Sequence, residues 1–276
     1  MKDILKMTRE ELLALKPQDY AVKLLSAEEI IHIAATMDAF WRYNYQVVER
    51  GRIGKHALLK SGLHSDGFLV SKILLEPENI RLLMAYQLWL CFKRPSLTFN
   101  IGKPDYLAGI PDGATKLAED LGRIMDVEMA PMAKVDGRIL ITTSLRPGGR
   151  LLMVEDFCTK GTGFKEAVTE IKQKHPDIEI MPYELVILNR GGLTKIVVNE
   201  IGVFTIVPVV DYRIQEWPAG PETCPLCKIG SIAIKPKVSE ENWMELTTSQ
   251  QLLVNFGRDD VDQFLRNRLA EAVAGI

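Results

Sequence analysis

Apolar and polar residues recur along the chain with two different periods, which predict where helices and strands lie. In residues 1–55 the apolar positions follow helical spacing after two capping-box patterns, Thr8-x-x-Glu11 and Ser26-x-x-Glu29. These residues are therefore predicted to form a helical N-terminal extension. Residues 56–75 show strand-like alternation broken by turn residues, and a helix is predicted from about Pro77 to Phe92.

From residue 106 onward, short apolar runs alternate with helical patterns. Strands are predicted near 106–110, 128–133, 151–154, 184–188 and 203–210, and helices near 115–125, 164–174 and 194–201. Such alternation predicts βαβ units, and hence an α/β fold with a mainly parallel sheet flanked by helices. In sheets of this kind, ligands bind at the carboxyl ends of the strands. Residues 216–276 are expected to form a C-terminal segment with a terminal helix.

Composition and charge narrow the class of protein. The 276 residues are 47% hydrophobic and 25% charged with a net charge of −2, so no basic surface for nucleic acid is predicted. No apolar run reaches membrane-spanning length, and the first residues are amphipathic rather than secretory in pattern. With four cysteines and no signal pattern, a cytoplasmic protein with reduced thiols is expected.

The main candidate chemistry lies in Leu151–Thr169. An apolar run ends in Glu155 and Asp156, and a hydroxyl- and glycine-rich loop, 159–163, precedes a helical pattern. We expect the strand to deliver two carboxylates and the loop to present N–H groups at a helix N-terminus, where the helix dipole favours an anion. Carboxylates beside such amides suit a sugar phosphate. An ordinary glycine-rich turn is the alternative, while the absent G-x-x-x-x-G-K-[ST] and G-x-G-x-x-G patterns disfavour nucleoside triphosphates and dinucleotides.

The sequence EDFCTKGTG, Glu155–Gly163, resembles the phosphoribosyl pyrophosphate (PRPP) motif of the type I phosphoribosyltransferases. That resemblance implies the family's fold, with a small hood, and Mg²⁺ as the cofactor. It implies that Glu155 and Asp156 contact the ribose hydroxyls. It also implies that Asp156 is a catalytic residue. The loop would hold the 5-phosphate through Thr159, Lys160, Gly161, Thr162 and Gly163. Lys160 stands where the family has a small residue.

Three further segments resemble orotate phosphoribosyltransferases in particular. Residues 59–72, LKSGLHSDGFLVSK, are similar to the hood, which implies that Lys60 contacts charged substrates and that Phe68 stacks near the pyrimidine. LNRGG at 188–192 resembles the segment whose arginine, here Arg190, holds the orotate carboxylate. Residues 131–148 correspond to the mobile catalytic loop, where Lys134 would be the catalytic cation for the leaving pyrophosphate.

The resemblance implies transfer of phosphoribosyl from PRPP to orotate, with 56–215 as the phosphoribosyltransferase core. In the family the catalytic loop reaches the neighbouring subunit, which implies a homodimer. Two alternatives stay open at this point. One is a non-catalytic relative that binds PRPP or a nucleotide as a regulatory ligand, motivated by Asp112 at the pyrophosphate loop and by few cations around Lys134. The other is a phosphoribosyltransferase for another base.

The cysteines and histidines predict little by spacing. Cys224 and Cys227 form a Cys-x-x-Cys, which supplies two of the four ligands of a structural zinc site but also fits a redox pair or a reduced turn. Cys158 is expected to be a buried small residue. The four histidines form no spaced pair, and His64 is expected in solvent at a turn. No residue is therefore predicted as a metal ligand.

Overall fold

The structure is a computed structural model that describes residues 2–94, 102–111 and 113–250. By their described residues, Met1–Ala39 and Val70–Arg213 form one compact unit, called here the sheet unit. Residues 40–69 and the described residues from Ile214 onward form a second, the small unit. Asp112 lies outside the described residues, as do residues 251–276 at the end of the segment expected to hold a terminal helix.

The helices are α1 (Arg9–Leu13), α2 (Ala27–Thr36), α3 (Tyr45–Val48), α4 (Ser71–Leu75), α5 (Glu78–Phe92), α6 (Thr115–Met125), α7 (Thr162–Lys174), α8 (Pro225–Lys228) and α9 (Glu240–Thr248), with 3₁₀ turns at Ile4–Lys6 and Pro17–Tyr20. The strands are β1 (Phe40–Arg42), β2 (His56–Leu58), β3 (His64–Ser65), β4 (Gly67–Leu69), β5 (Tyr106–Gly109), β6 (Glu128–Met129), β7 (Met132–Val135), β8 (Arg138–Ile141), β9 (Arg150–Cys158), β10 (Glu179–Asn189), β11 (Lys195–Val198), β12 (Gly202–Asp211), β13 (Glu216–Trp217) and β14 (Ala233–Ile234).

Both predicted capping boxes are present at the N-termini of α1 and α2. The Thr8 and Ser26 side chains accept from the backbone of Glu11 and Glu29, whose carboxylates reach back to the cap residues. The helical prediction for the N-terminal region is confirmed as far as Thr36. It is wrong at Phe40–Arg42, which pairs antiparallel with β4 as a strand of the small unit.

A six-stranded sheet in the order β11-β12-β10-β9-β5-β6 organises the sheet unit. Its strands pair in parallel, except for β11, which runs antiparallel to β12. The predicted α/β class with a mainly parallel sheet flanked by helices is thereby confirmed. The helix predicted at 194–201 is wrong, because Ile196 and Val198 are buried while Lys195 and Val197 are exposed, which is the period of a strand.

The core lies on both faces of the central strands. Leu151–Val154 of β9 are all fully buried, so both faces of that strand are covered. On one face α7 buries Phe164, whose ring meets Phe204 of β12 edge-to-face with centroids 5.0 Å apart. The long helix α5 packs against β10 and β12 and is joined to α6 by a 2.7 Å ion pair between Arg81 and the buried Asp120.

Residues 131–148, expected as a polar mobile loop, begin with an antiparallel hairpin of β7 and β8. Lys134 pairs with Ile139 in this hairpin. In the described part of the chain, no helix has the length and apolar character needed to span a membrane.

The small unit is built on a four-stranded sheet in the order β13-β3-β2-β14. The β2–β3 hairpin turns at Lys60–Gly62, where Gly62 takes a φ of +83°. Residues 71–75, predicted to continue the strand pattern, instead form α4 in the sheet unit. Among the described residues of the small unit, the buried apolar side chains are Trp41, Tyr43, Ala57, Leu59, Phe68, Leu69, Cys224, Leu226 and Leu246.

Candidate functional site

The paired acids lie in the second half of β9, within the strand rather than after it. Parallel pairing with β10 continues past them, with Glu155 beside Val186 and Cys158 beside Asn189. The apolar run before them is buried, whereas both acids are half-buried. The carboxylates therefore stand at the carboxyl edge of the sheet, where α/β proteins place their ligands.

Asp156 is held against the turn that follows β5. Its Oδ1 accepts from the Phe157 N–H at 2.8 Å, and its other oxygen occupies the space that a Cβ on Gly113 would fill. A side chain at position 113 would collide with the carboxylate. Glycine is thus required there for Asp156 to keep its position.

Glu155 forms a buried cluster with a residue that sequence reasoning missed, Glu184 of β10. One ligand atom each of Glu155, Cys158 and Glu184 lies within 4.8 Å of the others, and Glu184 is fully buried. Both carboxylate oxygens of Glu184 and Oε2 of Glu155 have no hydrogen-bond partner among the described residues. Burial raises the pKa of Glu184 to about 7. Burial, followed by the adjacent Glu184, raises the pKa of Glu155 well above its usual range.

The glycine-rich loop leads into α7 through Gly161, which takes a φ of +62° and packs on Ile196. No described side chain caps the first N–H groups of α7, and its first turn holds no acid. Because those N–H groups lack intrahelical partners, this end of the helix favours an anion. Gly163 lies beside Glu155, because a Cβ at position 163 would be 3.2 Å from Glu155 Oε1.

The residues that follow β10 pack against the start of the glycine-rich loop. The Arg190 N–H donates to the Cys158 carbonyl at 2.8 Å, and a Cβ on Gly191 would overlap the Thr159 carbonyl. The Asn189 amide donates to the Leu193 carbonyl at 2.8 Å and to Asp211 at 2.7 Å. Asn189 thus fixes the turn that carries Arg190, a half-buried side chain on the strand adjacent to the acids.

The structure brings only part of the predicted set together. The acids lie near the end of β9, and at the same edge the loop residues 159–163 follow β9 while Arg190 follows the adjacent parallel strand β10. Lys160 and Thr162 are exposed, and Lys134 is an exposed residue of the β7–β8 hairpin. Lys60 and Phe68 belong to the small unit: Lys60 is exposed at a hairpin turn, and the ring of the buried Phe68 lies 6.2 Å from that of Trp243.

Curated proteins that share one name align with up to two thirds of this chain. Seven curated relatives, each named orotate phosphoribosyltransferase, align with 24–29% identity. The chain is similar in sequence to the orotate phosphoribosyltransferases. The protein of Sulfurimonas denitrificans is 28% identical over 194 residues, which cover 66% of this chain and 90% of that protein. The protein of Heliobacterium modesticaldum is 26% identical over 184 residues, covering 66% and 88%.

Solved structures give a weaker likeness. The orotate phosphoribosyltransferase of Aeropyrum pernix aligns with a TM-score of 0.48 at 16% identity, over 65% of this chain and 92% of that one. The corresponding enzyme of Francisella tularensis aligns with a TM-score of 0.45 at 13% identity, over 68% and 84%. No family profile matches the chain.

Proposed function

We propose that this relative of the orotate phosphoribosyltransferases transfers the phosphoribosyl group of PRPP to orotate and releases pyrophosphate. The observation that carries the proposal is one edge of the sheet that offers both halves of a sugar-phosphate site. Glu155 and Asp156 supply carboxylates, and the N-terminus of α7, uncapped by any described side chain, supplies amides next to them. The names of the curated relatives support the same reaction.

The charges at this edge match what the reaction requires. Breaking the bond between ribose and pyrophosphate builds positive charge on the sugar and negative charge on the leaving group. Carboxylates placed beside the sugar stabilise its positive charge. Asp156, which is held in position against Gly113, is the proposed catalytic carboxylate of the two. The loop amides would bind the 5-phosphate and so position the ribose over the carboxylates.

Mg²⁺ fits the donor set at this edge. It prefers carboxylate oxygens combined with phosphate oxygens and water, and the half-buried Asp156 offers such an oxygen while PRPP would bring the phosphates. When bound, the ion would neutralise charge on the pyrophosphate. The exposed Lys134 is the proposed cation from the protein for the same leaving group.

The base is assigned from Arg190. Its position at the end of β10, on the strand next to the acids, suits a guanidinium that binds a planar carboxylate with two parallel hydrogen bonds. Orotate carries such a carboxylate, whereas adenine or guanine does not. The roles of Lys60 and Phe68 toward the base, and a cytoplasmic homodimer as the working form, complete the proposal.

The test is turnover of PRPP and Mg²⁺ with a panel of bases that includes orotate. We expect pyrophosphate and a nucleotide in equal amounts with orotate alone. Arg190→Lys should lower kcat/KM for orotate about 10- to 100-fold, because a charge-assisted hydrogen bond contributes about 1.5–3 kcal/mol, and should leave KM for PRPP unchanged. Arg150→Lys is the matched control, since Arg150 lies at the opposite end of β9.

Three outcomes would contradict parts of the proposal. Tight PRPP binding without turnover of any base would favour a regulatory protein. Turnover with another base, unaffected by Arg190→Lys, would overturn the assignment of orotate. No binding of PRPP at all would overturn the site itself.

A further inference from the structure

Four potential metal ligands meet in the small unit, at a place the proposed reaction does not use. His56 comes from β2, His64 from β3, Cys224 from the residue that caps α8 and Cys227 from within α8. One ligand atom from each lies within 4.8 Å of all the others. The first three side chains are buried and Cys227 is half-buried.

The sheet pairing explains why these residues converge. His64 lies opposite Leu58 in the β2–β3 hairpin. Leu58 is two residues after His56 on the same strand, so the imidazoles of His56 and His64 stand on one face of the sheet. On the other side of β2, β14 pairs in parallel with Ala233 beside His56, and the chain before β14 carries the Cys-x-x-Cys. Four residues from distant parts of the sequence are thereby placed around one point.

The distances between nitrogen and sulfur are close to those of a tetrahedral N₂S₂ site. Zinc bonds of about 2.3 Å to sulfur and about 2.0–2.1 Å to nitrogen place tetrahedral S···N pairs about 3.5 Å apart and N···N pairs about 3.3 Å apart. The structure has His64 Nδ1 3.2 Å from Cys227 Sγ, and His56 Nε2 3.6 Å from Cys227 Sγ and 3.8 Å from Cys224 Sγ. The two ring nitrogens lie 2.8 Å apart, so metal binding would separate them slightly.

A hydrogen-bond chain behind His56 selects the ring nitrogen that faces the cluster. The Ser231 hydroxyl donates its only proton to the Gly54 carbonyl at 2.6 Å. Its oxygen, 2.8 Å from His56 Nδ1, must therefore accept from Nδ1–H. Nε2 of His56 is then the unprotonated nitrogen, and its lone pair faces the two sulfurs and His64. Support of this kind is typical of histidines that bind a metal.

We propose that these four side chains bind a single structural zinc ion. Thiolate and imidazole ligands favour zinc over Mg²⁺ or Ca²⁺, which prefer oxygen. Four protein ligands complete a tetrahedral shell and leave no position for water or substrate, so the site is structural rather than catalytic. The ion would join β2 and β3 to the segment that carries α8, in a unit whose described residues bury only nine apolar side chains.

The test is metal analysis of the full chain, purified with its thiols reduced and without added chelator. We expect about one zinc per chain. Replacement by cobalt should give the intense d–d bands of a tetrahedral site together with thiolate-to-cobalt charge transfer. Both measurements use the unaltered protein, so they do not depend on whether a variant folds.

Variants locate the ion. Cys227→Ser and His56→Gln should lose the zinc, while the matched controls Cys91→Ser and His175→Gln, which lie in the sheet unit, should keep it. Ser231→Ala should retain the cobalt spectrum but lower zinc affinity about 10- to 100-fold, because it removes only the partner of His56.

Absence of bound zinc together with absence of a tetrahedral cobalt spectrum would overturn the proposal. So would a Cys224–Cys227 disulfide in protein prepared with its thiols protected, or undiminished zinc affinity in Cys227→Ser. PRPP turnover is measured separately, so failure of the zinc proposal leaves the proposed reaction untouched.

Discussion

Replacing Glu184 by Gln should stabilise the protein at neutral and alkaline pH. Glu184 is fully buried in β10, and its oxygens have no hydrogen-bond partner among the described residues. Ligand atoms of Glu155 and Cys158 lie within 4.8 Å of its carboxylate. An ionised carboxylate is costly in such surroundings, which is why burial raises its pKa. The glutamine side chain keeps the shape of the protonated acid and never ionises.

The pKa of Glu184 sets the size and the sign of the effect. The folded-state pKa is about 7 and the ordinary value is 4.5, and this difference corresponds to about 3 kcal/mol. A raised pKa means that the native protein binds the proton more tightly than the unfolded chain does. The stability linked to that proton is therefore fully present below about pH 4.5 and is lost as the pH rises through about 7.

The assay is urea denaturation of both proteins from pH 4.5 to pH 8, followed by far-UV circular dichroism. We expect equal free energies of unfolding at the acid end and an advantage of up to about 3 kcal/mol for Glu184→Gln at the alkaline end. Titrating groups other than Glu155, whose pKa Glu184 helps to raise, cancel in the difference. Glu179→Gln is the control, because Glu179 lies at the exposed start of the same strand and pairs only weakly with Arg150, at 3.7 Å.

A difference between the two proteins that does not change with pH would refute the reasoning, because it would show that Glu184 has the same pKa in both states. Lower stability of Glu184→Gln at pH 8 would also refute it. That result would mean that the ionised carboxylate is stabilised in the fold rather than tolerated.

Three further predictions concern the same edge of the sheet. Gly191→Ala should raise KM for PRPP about tenfold, because the added Cβ displaces the Thr159 carbonyl and overpacking of this kind costs about 1–3 kcal/mol; steady-state kinetics with unchanged KM would contradict it. Asn189→Asp should lower the free energy of unfolding at pH 8 by about 1–3 kcal/mol, since it removes the donor to Leu193 and faces Asp211 with a second carboxylate; equal stability in urea would contradict it. Glu184→Gln should shift the acid limb of the activity–pH profile to lower pH, because Glu184 helps to raise the pKa of Glu155; an unmoved limb would show that Glu155 does not control activity.

Much of the fold follows from local pattern. The structure has α6 at the predicted residues, Thr115–Met125, and the two capping boxes form as their spacing requires. The error at β11 has a local cause as well. Its alternation of buried and exposed residues spans only four positions, and a polar segment follows it, so a short helix fitted the pattern equally well.

The candidate site was predictable where its parts are contiguous. Acids, loop and helix start follow one another along Glu155–Thr162, so the sequence displays them in order. Glu184 belongs to the next strand, inside an otherwise apolar run, and its pattern is that of an ordinary outward-facing residue. Only the pairing of β10 with β9 places it beside Glu155. A buried charge on a central strand therefore stays hidden until the neighbouring strand and its register are known.

The histidine and cysteine cluster shows the same limit more strongly. Spacing rules recognise metal sites whose ligands share one short loop, and here only the two cysteines do. His56 and His64 meet because β2 and β3 form a hairpin, and the cysteines join them because β14 returns parallel to β2. Each of these pairings joins only two pairs of residues, and such short pairings contribute little stability by themselves. A bound ion and the pairings would therefore support each other, since the strands position the ligands and the ion holds the strands. Removal of zinc should accordingly loosen the β13-β3-β2-β14 sheet before it affects the six-stranded one, and amide exchange measured on both sheets would show that order.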